Sequence, residues 1–360
     1  MITTEWENVY FHSHVNIKNI IGKELINDDN VAVMELVKNS YDAGTTTVTV
    51  EFRNLKNENI NNELFIVDNG HGMSKEDILH KWLNLAYSIK RVQNTQNNRL
   101  QAGNKGIGRF SCDRLGKNLD IYIKKDEKIY HLKINWEDFN NYKYLEDVPI
   151  TIVERSNPVH FKDGKTGTNI VISKLRKKWE RGIAREIKRS ITALASPFEN
   201  NDSFKPSFDI IDKPKWFDGL LNWEDVRDYS LFRFKVTIEG NSITDFEYSF
   251  TPWSTMTKLF PRVIDNNDSL IETFKTLKYK NENGKVETFS LSNYEIGKVV
   301  FEGYVFDQDP FLLKMGVSDK EGFKKYLKSN GGVKVFRDGL RVYDYGEPEN
   351  DWLNLDYRRF

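Results

Sequence analysis

The spacing of apolar residues predicts a helix near the start of the chain and two strands after it. Within residues 31–42, apolar side chains recur at helical spacing, and Gly44 follows as a helix stop. Residues 45–52 then alternate apolar and polar side chains, as a half-buried strand does. Residues 64–67 are a short apolar run, which predicts a second strand that ends at Asp68.

The rest of the chain predicts more strands, a basic helix and a second domain. Strands are predicted at residues 119–123, 129–134 and 170–172, and an amphipathic helix at residues 179–195. Further on, strands are predicted at residues 231–238 and 298–306, a short helix at residues 318–328, and a hairpin from residues 332–336 and 340–343. We therefore predict a first domain over residues 1–198, a linker over residues 199–228 that begins rich in Asn, Asp and Pro, and a second domain over residues 229–360.

Composition narrows the class of protein. The chain of 360 residues has 53 basic and 53 acidic residues, so its overall charge gives no case for nucleic-acid binding. Its single cysteine, Cys112, excludes an internal disulfide and favours a reducing compartment. No apolar stretch approaches the ~20 residues of a membrane span, and the start has no signal-peptide pattern, so we predict a cytoplasmic protein without membrane contact. Scattered histidines make His12 and His14 an ordinary surface pair rather than a metal site.

Three polar residues share one face of the first predicted helix. Glu35, Asn39 and Asp42 stand at positions i, i+4 and i+7, interleaved with apolar residues. A solvated helix face is one interpretation of this pattern. The other is a site, because an amide oxygen can hold a hard cation while a carboxylate one turn away orients a water molecule.

Two glycine-containing motifs lie further along the chain. Asp68-Asn69-Gly70-His71-Gly72 follows a predicted strand and is either a plain turn or a place where a flat ligand approaches the backbone. Residues 103–111 place three glycines and Lys105 ahead of a predicted helix, which suits an anion. Their spacing fits neither a Walker loop nor a dinucleotide-binding fingerprint. The polar stretch before them, residues 84–102, is either a mobile lid or a long loop.

Taken together, these motifs resemble the GHKL superfamily of ATPases, which includes type II topoisomerase ATPase subunits, 90-kDa heat-shock chaperones, sensor histidine kinases and MutL-type proteins. The asparagine box of that superfamily resembles Glu35-Leu36-Val37-Lys38-Asn39 and the residues after it. Its first glycine box matches the motif at Asp68, its second resembles residues 103–111, and its late Gly-Thr pair matches Gly167-Thr168. The four motifs occur in the expected order over about 170 residues.

The resemblance implies an α+β protein with a Bergerat fold, an α/β sandwich in which helices cover one face of a mixed sheet. It implies ATP and Mg²⁺ at the site, with Glu35 as general base, Asn39 as magnesium ligand and Asp68 on the adenine amino group. Other residues implied at the nucleotide are Asp42, Gly70, Gly72, Met73, Gly103, Gly106, Ile107, Gly108 and Thr168, with Lys105 supplying charge at the phosphates.

The second half resembles the transducer domain of those ATPases, which has a ribosomal-protein-S5-like α+β fold. In these families a basic transducer residue reaches the γ-phosphate. Residues 355–359 resemble the stretch that carries it in the chaperones, which implies Arg359 first and Arg358 second. The alternatives are a merely solvated tail arginine, or one of Lys334, Arg337 and Arg341.

The resemblance implies a slow ATP-hydrolysing molecular switch that closes a lid and forms a homodimer when ATP binds. A nucleotide-gated binding module without turnover is the alternative, and a protein histidine kinase is a weaker one, because no long helix with a histidine precedes Glu35. The partner is expected to be DNA or a protein, and the basic residues within 174–189 offer DNA a surface unless they are simply solvated. The motifs are also similar to those of MORC-like and bacterial stand-alone members, and the bacterial members suggest a role in anti-phage defence. The end of the chain soon after Arg359 predicts that the chain is the N-terminal part of a longer protein.

Overall fold

The structure is a computed structural model, and it describes residues 12–24, 26, 28–55, 62–84, 95–96, 99–100, 102, 108–156, 161, 166–198, 204–268, 276–294 and 296–342. The chain divides into two compact units. The first unit takes in residues 1–218 and 332–360, and the second unit spans residues 219–331.

The first unit contains two long helices, α2 (Asp29–Asp42) and α5 (Arg181–Thr192), and several short ones. The short helices are α1 (Ile17–Asn19), α3 (Lys75–Asp77) and α4 (Ser111–Leu115), with π-helical turns at Ile20–Glu24 and Ile78–Trp82. The side chain of Asp28 accepts a hydrogen bond from Asn30 N at 2.6 Å and caps α2. Gly44 has a positive φ of 72°, which ends α2 as the sequence predicts.

A seven-stranded mixed sheet forms the centre of the first unit. The strands of this unit that precede residue 219 are β1 (Thr47–Arg53), β2 (Glu63–Asp68), β3 (Thr95–Gln96), β4 (Arg99–Leu100), β5 (Gly116–Lys125), β6 (Lys128–Asn135), β7 (Thr151–Arg155), β8 (Gly167–Leu175) and β9 (Lys205–Ile210). The order in the sheet is β7-β6-β5-β8-β2-β1-β9, antiparallel throughout except where β9 runs parallel to β1. The pair β3–β4 stands apart from this sheet.

One face of the sheet is covered by helices. Along β1, Val48, Val50 and Phe52 are fully buried, and the two residues between them face away. These side chains share one apolar core with Val37 of α2 and Ile187 of α5. A mixed sheet with helices on one face is the architecture of the Bergerat fold, so the predicted fold class is confirmed.

The second unit has its own sheet and its own small core. Its strands are β10 (Phe232–Glu239), β11 (Ser242–Phe250), β12 (Arg262–Asp265), β13 (Lys278–Lys280), β14 (Val286–Thr288) and β15 (Val299–Val305), and its helices are α6 (Trp223–Arg227), α7 (Pro310–Gly316) and α8 (Lys320–Asn330). Four antiparallel strands form a sheet in the order β12-β11-β10-β15. Val226, Leu313 and Phe323 of the three helices pack together. In the ranges that the structure describes, no helix is long and apolar enough to span a bilayer.

Two segments belong to a different part of the fold from the one that the sequence patterns predict. Residues 205–210, predicted within the linker, form β9, whose Phe208 and Ile210 enter the main core. The hairpin β16 (Phe336–Arg337) and β17 (Leu340–Arg341), predicted in the second domain, belongs to the first unit, where Leu340 joins the core. Both placements depend on contacts between residues far apart in sequence, which local composition does not encode.

Candidate functional site

Helix α2 brings Glu35 and Asn39 to the start of the segment that leads into α4. Ala32, Val33, Leu36 and Val37 are buried and fix the helix against the core, so its polar face has one orientation. A methyl group at Gly108 would lie 3.3 Å from Asn39 Nδ2 and 4.0 Å from Glu35 Oε2. The structure therefore brings together Glu35, Asn39 and Gly108, three residues that the sequence assigns to one site.

Glu35 has a basic partner on its own helix. Lys38 Nζ lies 3.0 Å from Glu35 Oε1, and 16% of the lysine side chain and 35% of the glutamate side chain are exposed. The sequence analysis did not single out Lys38, although its i+3 spacing from Glu35 is a usable signal.

Asp42 holds the chain close to the second glycine motif. Its Oδ1 accepts a hydrogen bond from Ala102 N at 2.6 Å, directly before that motif. Within the motif, Gly108 opens the 3₁₀ turn that leads into α4, and Gly103, Lys105, Gly106 and Ile107 lie outside the described residues.

Asp68 ends β2 as a buried carboxylate with three donors. Its Oδ1 accepts from Gly70 N at 2.9 Å and from Thr168 N at 3.1 Å, and its Oδ2 accepts from Ser40 Oγ at 3.0 Å. Burial raises the pKa of Asp68, and the hydrogen bonds from Gly70, Ser40 and Thr168 oppose that rise. Each carboxylate oxygen can accept more than one hydrogen bond, so Asp68 can still accept one from a ligand amine.

Three glycines around Asp68 stand where the backbones approach each other closely. A methyl group at Gly72, where φ is +61°, would lie 2.0 Å from Lys124 O, and one at Gly167, where φ is +149°, would lie 2.1 Å from Asp68 O. At Gly70 it would lie 2.8 Å from Ala43 O. These positions therefore need glycine for packing, whether or not a ligand is bound.

The remaining predicted residues of the first glycine motif and β8 lie beside Asp68. Thr168 is 9% exposed and contacts Asp68 through its backbone N–H. Met73 is half-buried and packs against the main core. Thr166 Oγ1 donates to Gly70 O at 2.8 Å, which ties the motif to the start of β8.

Ser40 and Asn69 also belong to this region, and the sequence analysis did not identify their roles. Ser40 is 3% exposed and donates to Asp68. Asn69 Oδ1 accepts from Thr46 N and Thr47 N, both at 3.0 Å, and fixes the motif to the start of β1. The position of Ser40 directly after Asn39 was a usable signal for its role. The role of Asn69 depends on a contact with residues 46 and 47, which the local sequence does not indicate.

Most of the basic residues that could offer DNA a surface have contacts within the first unit. Arg176 pairs with Asp113, and Lys177 pairs with Asp29 at 3.0 Å. Arg181 and Arg185 donate to the carbonyl groups of residues 216 and 218, and Lys188 lies over the Phe217 ring at 4.1 Å. The carboxylates therefore offset the charges of Arg176 and Lys177, whereas the other three residues keep their positive charge while they help to hold the fold.

The hairpin β16–β17 is joined to α2. Tyr41 OH donates to Asp338 O at 2.9 Å, between the two strands of the hairpin. Arg341 is 7% exposed, which leaves little of it accessible. The predicted γ-phosphate contacts Arg358 and Arg359 lie outside the described residues.

The two N-terminal histidines have protein contacts. His12 Nδ1 lies 3.1 Å from Glu146 Oε1, and His14 Nδ1 accepts from Asn16 N at 3.2 Å. Over the described part of the chain, no three His, Cys, Asp or Glu side chains are grouped so that they could hold a metal ion.

A comparison with models of known protein families gives a match for part of the chain. A comparison with curated proteins returned no match. Residues 27–168 match the family model described as "Histidine kinase-, DNA gyrase B-, and HSP90-like ATPase". The matched range runs from the start of α2 to Thr168 and includes Glu35, Asn39, Asp68 and both glycine motifs. This match supports the GHKL superfamily for this part of the chain and implies that it binds ATP.

Proposed function

We propose that the protein is a molecular switch that binds Mg-ATP and hydrolyses it slowly. The observation that carries this proposal is the placement of Glu35 and Asn39 one helical turn apart beside Gly108, with the same helix joined to Asp68 through Ser40. A proton acceptor and an amide ligand are thus held on one helix, and a buried carboxylate at the end of β2 is joined to that helix by a hydrogen bond.

Asp68 is assigned to the adenine end of the nucleotide. Its buried carboxylate accepts a hydrogen bond from the exocyclic amine of the base, since a buried acceptor discriminates strongly between ligands that do and do not donate to it. Gly70, Gly72 and Met73 shape this pocket, and Thr168 supports it through water.

Asn39 fits Mg²⁺ by its chemistry and position. Its carboxamide oxygen is a hard ligand, and its side chain lies beside Gly108, at the start of the turn into α4. Mg²⁺ held by Asn39 would offset the negative charge of the triphosphate. Gly103, Lys105, Gly106 and Ile107 are assigned to the phosphates, with Asp42 holding the chain ahead of them through Ala102.

Glu35 acts as the general base for hydrolysis. Its carboxylate accepts a proton from a water molecule as the water oxygen bonds to the γ-phosphorus and the bond to the β,γ-bridging oxygen breaks. The products are ADP and phosphate, and the proton passes from Glu35 to solvent or phosphate. Arg359 is assigned the role of contacting the γ-phosphate, and the second unit is assigned the role of the transducer.

The switch consists of two states that differ in their affinity for ATP. Bound ATP favours a closed homodimer, and hydrolysis returns the open form, so that a DNA or protein partner is held or released in step with the nucleotide. A role in anti-phage defence fits such a switch.

Sedimentation velocity tests the switch. We expect dimers with Mg²⁺ and a non-hydrolysable ATP analogue, and monomers with ADP or without nucleotide. Asp68→Asn should stay monomeric with the analogue because it binds the nucleotide poorly, whereas Asp120→Asn, a control outside the site, should behave as the wild type. The same association state under all three nucleotide conditions would contradict the switch.

A further inference from the structure

We propose that Lys38 is a positioning residue for hydrolysis, which fixes the carboxylate of Glu35 so that one oxygen is directed to the attacking water. This inference rests on the proposed function, because it concerns how Glu35 performs its role as base. It assigns a residue that the polar-face pattern of α2 did not include.

The two oxygens of Glu35 have different surroundings. Oε1 lies 3.0 Å from Lys38 Nζ, while Oε2 is the oxygen near Gly108, 4.0 Å from the place of a methyl group on that residue. Asn39, the proposed magnesium ligand, borders the same place at 3.3 Å. The ion pair therefore engages the oxygen away from Gly108 and leaves the other one on the phosphate side.

Such a pair restricts the rotation of the carboxylate. A glutamate at 35% side-chain exposure can turn about its side-chain bonds, and each wrong orientation removes the base from the reacting water. An ammonium group at hydrogen-bond distance selects the orientations in which Oε1 faces the lysine. Both residues stand on α2, on either side of buried Leu36 and Val37, so their relative position is set by the helix.

The burial of Lys38 does not fit a simple surface ion pair between Lys38 and Glu35. Exposed pairs contribute little to stability, because water screens them. Lys38 is only 16% exposed, and its partner is the residue assigned as base. In contrast, Lys117 and Glu137 form a pair at 2.8 Å in which the side chains are 45% and 54% exposed, which provides a matched control.

The test is steady-state hydrolysis of Mg-ATP by Lys38→Met, Lys38→Arg and the control Lys117→Met. We expect Lys38→Met to lower kcat by about 10- to 100-fold, because the base is misplaced. Its Kd for a non-hydrolysable ATP analogue should equal that of the wild type. Lys38→Arg should recover most of the rate, since the guanidinium group can still pair with Glu35, and Lys117→Met should leave the rate unchanged.

Adding Lys38→Met to Glu35→Gln supplies a readout that a merely structural lysine would not give. The double variant should be no slower than Glu35→Gln alone, because a positioning residue has no effect once the base is gone. A further loss of rate in the double variant would overturn the proposal.

Two other results would also overturn it. One is a wild-type kcat in Lys38→Met. The other is a Lys38→Met variant that binds the triphosphate analogue more weakly but ADP normally, which would make Lys38 a phosphate ligand. Hydrolysis that persists unchanged in Glu35→Gln would instead remove the proposed role of Glu35, and the two failures are thereby distinguished.

Discussion

Ser40 Oγ donates a hydrogen bond to Asp68 Oδ2 at 3.0 Å and so joins α2 directly to the end of β2. Both residues are almost fully buried, with 3% and 8% exposure. Because Ser40 follows Asn39 in sequence, the element that presents Glu35 and Asn39 is connected to the carboxylate assigned to adenine. The two ends of the candidate site are thus held by one helix and one buried hydrogen bond.

Ser40→Ala should lower the free energy of unfolding of the first unit by about 1.5–3 kcal/mol, since it removes a donor from a buried carboxylate. It should also weaken ATP binding, because Asp68 loses one of the groups that orient it. Urea denaturation and calorimetric titration measure the two effects. Ser207→Ala is the control: its hydroxyl donates to two neutral groups, Val48 O and Thr49 Oγ1, so the loss should be about 0.5–1.5 kcal/mol. Equal losses in the two variants would contradict this account of Ser40.

The raised pKa of Asp68 predicts a pH-dependent contribution to stability. Between the unfolded value of 3.8 and the higher folded value, the folded state binds more protons than the unfolded state. The contribution is therefore fully present below pH 3.8 and is lost as the pH rises through the folded pKa of Asp68. The unfolding free energy of the wild type minus that of Asp68→Asn should therefore decrease as the pH rises through this window. Urea denaturation of both proteins over a pH series measures it, and an opposite slope would show that the pKa is lowered.

Gly167→Ala should destabilise the first unit by about 1–3 kcal/mol or more, because a methyl group there meets a backbone oxygen in a dense region. The contact in question is the 2.1 Å approach to Asp68 O. Gly182→Ala is the matched control, since nothing lies within 4 Å of its added methyl group and it stands in α5. That variant should gain up to about 1 kcal/mol from helix propensity. Thermal unfolding measures the stability of both variants. A Gly167→Ala variant as stable as the wild type would contradict the packing argument.

A buried ion pair predicts a further large effect on stability. Asp113 is fully buried on α4, where Lys18 Nζ lies 3.3 Å from its Oδ2 and Arg176 pairs with its Oδ1. Lys18→Met should cost about 3–5 kcal/mol, because it leaves the carboxylate with one cation fewer in the core. Lys117→Met, which breaks an exposed pair, should cost about 0–1 kcal/mol. Similar costs for the two variants, measured by urea denaturation, would mean that burial does not matter here.

Local patterns were enough to predict the elements that carry the site. The periodicity of α2 gave the common face of Glu35 and Asn39, and the apolar run of β2 placed Asp68 at a strand end. What local patterns could not predict were contacts across the sheet or between distant segments. The strand β9, the position of hairpin β16–β17 and the contact from Asn69 to Thr46 all depend on pairing partners far away in sequence. The basic residues near α5 were predicted to form a basic surface. Their contacts with carbonyl groups and carboxylates of distant residues, such as Arg185 with Trp216 O and Arg176 with Asp113, could not be predicted from composition.

The most direct test of the account is phosphate release from Mg-ATP by the wild type and by Glu35→Gln at equal nucleotide occupancy, with Glu137→Gln as an exposed control. The account predicts slow but measurable turnover in the wild type and the control. It predicts a loss of at least about 100-fold in Glu35→Gln, whose Kd for a non-hydrolysable analogue stays the same. Nucleotide binding without turnover in all three proteins would indicate a gated binding module, and turnover unaffected by Glu35→Gln would contradict the role of Glu35 as the base.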